Sequence, residues 1–373
     1  GVHRGAHELA ARSTMAFEEA RAKVARLVGA NTVEGEEEIV VTSGATAGLN
    51  LLATAFGNAS QGRGGEAARR FAVKSGDEIV VSKAEHHSVL LPFQELAART
   101  GATLKWFDLD DEGRILANTA DEVITERTKI VAVTHVGNTT GAITDIAPIV
   151  KRAHEVGAVV VLDACQSVPH LKIDLHALDV DFAAWSAHKM YGPTGVGFLY
   201  GKREMLEALP PANFGGSMVE LAWMDQEAQY MAPPARFEAG TQPVAQVVAA
   251  GVAAEWLMNI GMENLEAHER VIAGELLKMG QIEGVRILGP HANERRIGTV
   301  AFEIEGVHPH DVGQFIDAQG IAIRVGHHCA QPVHRHFGVY ASNRASSGIY
   351  NCVEDAQALV EALKKVRPFF GVK

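Results

Sequence analysis

The sequence predicts an α/β protein, with a large domain on a mainly parallel sheet followed by a smaller C-terminal α+β domain. Three observations carry this. Short, almost wholly apolar runs such as Glu38-Ile-Val-Val-Thr42, Lys129-Ile-Val-Ala-Val-Thr134 and Ala158-Val-Val-Val-Leu162 have the composition of strands buried on both faces. Segments of helical apolar period alternate with them, as crossover helices do in a parallel sheet. From Pro243 the pattern changes to a long Ala-rich helical region and then to short strands and helices, which sets a boundary near residue 260: 1–260 for the large domain, 261–373 for the small one.

In order, Glu8 to Val28 has the apolar spacing of an amphipathic helix, and Glu38–Thr42 is the first strand. Ser43-Gly44-Ala45-Thr46-Ala47-Gly48 is a small-residue turn into an apolar helix from Leu49 to Phe56. Gly57 to Ser75 lacks an apolar period and reads as a mobile surface loop with solvated arginines. Asp77–Ser82 is a strand, Leu90–Thr100 a helix, Thr103–Phe107 a strand and Lys129–Thr134 another. Asp145–Val156 is a helix stopped by Gly157, Ala158–Leu162 a strand, Asp181–Trp185 a strand and Gly197–Tyr200 the last of this set. The Pro243 region runs helically to about Leu277. The small domain then shows strands at Gly298–Ile304 and Ile321–Arg324, a helix at Asp311–Ala318 and a terminal helix from Glu354.

The bulk properties exclude several classes. A chain of 373 residues, 47% hydrophobic and 21% charged, is long enough to bury a large core. Its formal charge of −11 argues against nucleic acid or an anionic membrane as partner, since both select basic surfaces. No apolar run approaches a membrane span and no signal-peptide pattern opens the chain. Three cysteines, Cys165, Cys329 and Cys352, cannot build a disulfide framework and point to a reducing cytoplasm.

In an open α/β sheet, ligands bind beyond the carboxyl ends of the strands. Five apolar strands here end in polar or reactive groups: Ser43 and Thr46, His86, Asn138, Asp163 and Gln166, and Ser186, His188 and Lys189. Each has a plain structural reading, as a helix cap, loop histidine, turn residue or solvated strand end. Asp163 is the most informative, because a carboxylate placed after Val-Val-Val-Leu lies close to the interior and needs a cationic partner. A protonated pyridine nitrogen would supply it, and Lys189, desolvated at a strand end, could bind a carbonyl through its amine. The small-residue turn before the Leu49 helix offers free backbone N–H groups to a phosphate. The set matches a pyridoxal 5'-phosphate (PLP) site.

The order of these motifs resembles the SufS-type (group II) cysteine desulfurases, fold-type I PLP enzymes. It runs Ser-Gly-x-Thr, Glu-His-His, His-Val-x-Asn-x-x-Gly, Asp-x-x-Gln-Ser, Ser-x-His-Lys-x-x-Gly-Pro-x-Gly-x-Gly and Arg-x-Gly-His-His-Cys-Ala-Gln-Pro. The resemblance implies conversion of L-cysteine to L-alanine for iron–sulfur cluster assembly, in a homodimer with the active site at the subunit interface. It implies Lys189 as the PLP-bearing lysine and proton shuttle, Asp163 as pyridinium partner, and Gln166 as donor to the ring oxygen. His86 corresponds to the ring-stacking histidine and acid, and Thr46, Ser186 and His188 to phosphate ligands. Thr241 corresponds to a phosphate ligand lent by the other subunit, and Asn138 and Arg344 to substrate-holding residues. Ala45 stands where the family often has a second threonine. The family also carries a further segment before the Val2-His3-Arg4-Gly5 motif, with a first strand and part of the small domain.

Cys329 is the expected sulfur acceptor. A nucleophilic cysteine must be a thiolate, and Arg324, His327 and His328 surround it with groups that favour one; Arg324 is also placed on the substrate side. The histidines around it, with His308, His310, His334 and His336, could suggest zinc, but no spacing among them fits a closed site, and no intrinsic metal is expected. Cys165 and Cys352 read as structural. His310 matches the histidine that, in family members served by a zinc-containing SufU sulfur acceptor, displaces a thiolate from the acceptor's zinc; a plain helix-start histidine beside Asp311 is the alternative. Rival activities are selenocysteine lyase and cysteine sulfinate desulfinase, and, from another class, a non-catalytic zinc-binding scaffold.

Overall fold

The computed structural model describes residues 5–372, so the Val2-His3-Arg4 opening lies outside the described residues. Seven strands form the main sheet: β1 (Ile39–Thr42), β2 (Glu78–Ser82), β3 (Thr103–Phe107), β4 (Thr128–Thr134), β5 (Val159–Asp163), β6 (Phe182–Ser186) and β7 (Gly197–Gly201). Their spatial order is β3-β2-β4-β5-β6-β7-β1. The strands from β3 to β6 run parallel, and β7 lies antiparallel to both β6 and β1. β2, β5, β6 and β7 are buried along their whole length, which is what their unbroken apolar composition predicts.

Val219–Leu221 (β8) and Gln229–Tyr230 (β9) make a separate two-stranded ribbon. A second sheet is built from β10 (Val285–Leu288), β11 (Thr299–Ile304), β12 (Arg324–Gly326) and β13 (Ser342–Ser346), in the order β10-β11-β13-β12, every pair antiparallel. Buried apolar side chains fall into two clusters, one around the main sheet and one around this smaller sheet. The helix Met262–Leu276 spans the two: Met262 and Leu265 pack in the first cluster, Ile272 and Leu276 in the second.

Three expectations are corrected. The segment from Gly57 to Ser75 is not a loop: the helix Ala45–Ser60 runs into it, and Gly65–Ala68 and Arg69–Phe71 form further helical turns. Phe71 carries no periodic signal but stacks on Phe56 at 5.4 Å between centroids, and with Ala68 and Val73 it anchors an otherwise exposed segment. The arginines there are solvated as expected, Arg63 and Arg69 making only surface pairs with Glu227 and Glu66. The Pro243–Leu277 helical region is two helices, Val244–Ile260 and Met262–Leu276, because Gly261 takes φ +89, a conformation that ends the first. The strand expected at Ile321–Arg324 forms instead at β12, where β13 supplies the hydrogen bonds. No single helix among the described residues is long and apolar enough to cross a membrane.

Candidate active site

The turn Ala187–Lys189 follows β6 without a break, so Ser186, His188 and Lys189 emerge at the carboxyl edge of the sheet. Beside them, the helix Ala45–Ser60 begins at Gly44, with φ +149; a Cβ there would press on Ser186 Oγ at 3.3 Å. Ser186 Oγ accepts from Ala45 N–H at 2.8 Å, leaving the first-turn N–H groups of Thr46 and Ala47 as orphan donors. Thr46 Oγ1 lies 2.7 Å from Ser88 Oγ.

Lys189, Asp163, Gln166 and His86 line one cavity of about 240 Å³ together with Ala45, Thr46, Ser186 and His188. Asn138 and Arg324 reach the same cavity. Cys329 lies along a neighbouring groove that shares Thr46, His86 and Ser88 with it. Arg344 stands one contact away, its Nη1 donating to Asn138 O at 2.8 Å. Two of the sequence candidates are not brought in: Thr241 is exposed in the turn before the helix Val244–Ile260, and His310 is exposed in the first turn of the helix Pro309–Asp317.

Asp163 is buried at the end of β5, and its Oδ1 accepts from Cys165 N–H at 2.9 Å. No lysine, arginine or histidine forms an ion pair with it among the described residues. A bare buried carboxylate is costly, so the position fits a cation brought from outside the chain. His86 caps the helix His87–Thr100, and its Nδ1 accepts from Ser88 N–H at 3.0 Å. Burial pushes its pKa down to about 4 against the pull of Asp163, so near pH 7 the ring is neutral with its proton on Nε2.

The cysteine turn joins β12 to the helix Gln331–His336. His328 and Cys329 stand there at φ +51 and +58, left-handed conformations that cost a non-glycine residue on the order of 1–2 kcal/mol each. Large-domain groups hold the turn: His87 N–H donates to Cys329 O and Asn138 Nδ2 to His328 O, both at 2.7 Å. Arg324 Nη2 lies 3.8 Å from Cys329 Sγ. Burial lowers the Arg344 pKa to about 10, with Arg324 adding to the fall and Cys329 opposing it; the guanidinium stays charged at neutral pH. Burial and Asp163 push the Cys165 thiol up, which keeps it unreactive, and Cys352 is spent on capping the helix Val353–Leu363.

The structural roles of three residues escape a reading of the sequence. Glu85 is fully buried and its pKa is pushed up to about 8, chiefly by burial. Ser342 and His334 both touch His328 or its neighbours in the cysteine turn. The Glu-His-His motif contains Glu85 in plain view, but only the packing of β2 against β4 buries it. Among the described residues no group of three or more His, Cys, Asp or Glu side chains is arranged to hold a metal ion.

A seven-stranded α/β sheet whose carboxyl edge offers a lysine, an unpaired buried aspartate and a helix N-terminus defines a PLP-dependent enzyme of fold type I. The residues fit that cofactor: orphan N–H donors for its phosphate, Asp163 for its ring nitrogen and Lys189 for its aldehyde. Comparison with known proteins agrees. A profile of the aminotransferase class-V family matches residues 1–359. The probable cysteine desulfurase 2 of Mycobacterium leprae is 46% identical, over 99% of this chain and 85% of that protein. A probable cysteine desulfurase of Streptomyces coelicolor is 44% identical over 99% and 86%. Among solved structures, the apo cysteine desulfurase of Thermococcus onnurineus superposes with a TM-score of 0.90 at 34% identity, covering 98% of this chain and 88% of that one. The Escherichia coli cysteine desulfurase CsdA gives 0.87 at 35%, covering 99% and 88%. The chain belongs to the aminotransferase class-V family of PLP enzymes, and within it to the cysteine desulfurases.

Proposed function

We propose that the protein converts L-cysteine to L-alanine and takes the sulfur onto Cys329 as a persulfide, serving iron–sulfur cluster assembly as a SufS-type (group II) desulfurase. One observation carries the reading: Arg324 lines the cavity of Lys189 and also approaches Cys329 Sγ at 3.8 Å, so the sulfur acceptor adjoins the cofactor cavity. The large and small domains, divided near residue 260, contribute the two halves.

PLP, when bound, withdraws electrons from the substrate's Cα and tolerates the charge left when the C–S bond breaks. Lys189 holds the cofactor and carries the Cα proton. Asp163 would balance the ring nitrogen's charge, Gln166 would donate to the ring oxygen, and neutral His86 would cover the ring and present its Nε2 proton. Thr46, Ser186 and His188, with the N–H groups of the Ala45–Ser60 helix, take the phosphate. Ala45 adds no side-chain contact there, and its N–H is already given to Ser186 Oγ. Arg344 forks the substrate carboxylate, helped by Asn138. Cys329, reacting as the thiolate with Arg324 Nη2 3.8 Å from its Sγ, forms an S–S bond with the substrate sulfur while the Cβ–S bond breaks. The bonding pair stays on Cβ, which takes a proton, and alanine leaves.

The exposed Thr241, remote from its own cavity, suits a phosphate ligand lent across a homodimer. Exposed His310 suits contact with a SufU-type acceptor, and the free cysteines suit the cytoplasm. Two measurements test the reading. Cys329→Ser keeps the yellow cofactor absorbance but forms no protein persulfide from cysteine; persulfide on that variant refutes the assignment. His310→Ala loses stimulation by a SufU-type acceptor while persulfide forms at the parent rate; retained stimulation removes His310 from that contact.

A further inference from the structure

Ser342 opens β13 directly opposite Gly326, the last residue of β12 before the cysteine turn. It shares a face with Arg344, two residues on. Its Oγ lies 3.0 Å from His328 Nε2 and 2.9 Å from His334 Nε2, and His334 Nδ1 lies 3.0 Å from Ala330 O. All three side chains are buried, at 2% exposure for His328, 2% for His334 and 0% for Ser342.

The His334–Ala330 contact sets the direction of the others. A carbonyl only accepts, so His334 carries its proton on Nδ1 and its Nε2 is bare. Ser342 has one hydroxyl proton, and that bare nitrogen takes it. The Ser342 oxygen then accepts from His328 Nε2–H, which leaves His328 Nδ1 bare; that atom is buried without a partner. Burial holds both rings in the neutral form the pattern needs, the His328 pKa falling to about 3 and that of His334 also falling.

We propose that Ser342 and His334 are positioning residues for sulfur transfer, forming a one-way hydrogen-bond chain from His328 through Ser342 to His334 and the Ala330 carbonyl that clamps the residues on both sides of Cys329. The inference rests on the reading that Cys329 accepts the sulfur. The chain starts one residue before Cys329 and ends one residue after it. The two left-handed residues in this turn have no glycine freedom, so their geometry needs external support. The large domain grips only the backbone, through Asn138 and His87. The Ser342 chain adds a grip from the small sheet and leaves the Cys329 side chain itself free to move.

The test uses cofactor-loaded enzyme carrying Ser342→Ala, His334→Leu, or Ser342→Thr, which keeps the hydroxyl. Losing the chain raises deuterium exchange of the 328–331 amides about tenfold, with β11 amides unchanged, because a local support has gone rather than the fold. The kcat for persulfide formation falls about tenfold in the first two variants, while KM for cysteine and the cofactor absorbance stay within about twofold. Ser342→Thr behaves as the parent. Turn exchange and kcat within about twofold of the parent in Ser342→Ala overturn the proposal, as does exchange rising equally in β11, which means general loosening. Persulfide mapped to a residue other than Cys329 in the parent refutes the sulfur-acceptor reading separately, and takes this proposal with it.

Discussion

Replacing Glu85 with glutamine changes how stability depends on pH. Glu85 Oε1 accepts from the Ser82 hydroxyl and from Thr134 N–H, and Oε2 has no partner. Burial pushes the folded pKa up to about 8, the hydrogen bonds oppose this, and the Asp163 charge adds to it. In the unfolded chain the group titrates at its ordinary value of 4.5. A raised folded pKa gives stability that is fully present below the unfolded value and is lost as pH rises through the folded one. At about 1.36 kcal/mol per pH unit, the parent loses on the order of 2–3 kcal/mol between about pH 5 and pH 7, and about 4 kcal/mol by about pH 9. Glutamine does not titrate, so the gap in unfolding free energy, variant minus parent, widens by these amounts. Urea unfolding of the two cofactor-free proteins at equal concentration across that range reads the gap directly. A gap constant to within about 0.5 kcal/mol refutes a buried, protonated Glu85.

Other perturbations probe separate links. Arg21 and Glu238 form a buried pair at 2.6 Å, and Glu238 also accepts from Val41 N–H, which ties the first helix to β1. Arg21→Leu strands the carboxylate and costs about 3–5 kcal/mol in urea unfolding, most of which the double variant with Glu238→Leu recovers. Arg344→Lys replaces a planar fork by a point charge, so kcat/KM for cysteine, followed by alanine release, falls roughly 10- to 150-fold, a loss of about 1.5–3 kcal/mol carried mainly by KM. An unchanged KM removes Arg344 from carboxylate recognition.

Much of the fold was legible in the chain because burial on both faces leaves a compositional record. Val159-Val-Val-Leu-Asp163 announces a buried strand and, at its end, a carboxylate in need of a cation. The same logic gathers His86, Asn138, Asp163 and Lys189 at one sheet edge, since parallel strands all present their carboxyl ends to the same side. The family resemblance proposed roles that no periodicity could supply, those of Thr241 and His310 among them.

What the tertiary structure decided lies where composition is silent about partners. Ser342-Asn-Arg-Ala-Ser346 has no strand signal, yet becomes β13 because β11 and β12 supply hydrogen bonds on both sides. That pairing moves β12 to Arg324–Gly326 and carries Ser342 under the cysteine turn. Phe71 anchors an apparent loop as short helical turns by stacking on Phe56 of the preceding helix. Glu85, one residue from a legible histidine, is a neutral acid only because neighbouring strands seal it from water. Local sequence records which faces are apolar and which residues can react. Which strands pair, and hence which polar groups are desolvated together, depends on contacts distant along the chain, and those set the protons around Cys329 and beneath Asp163.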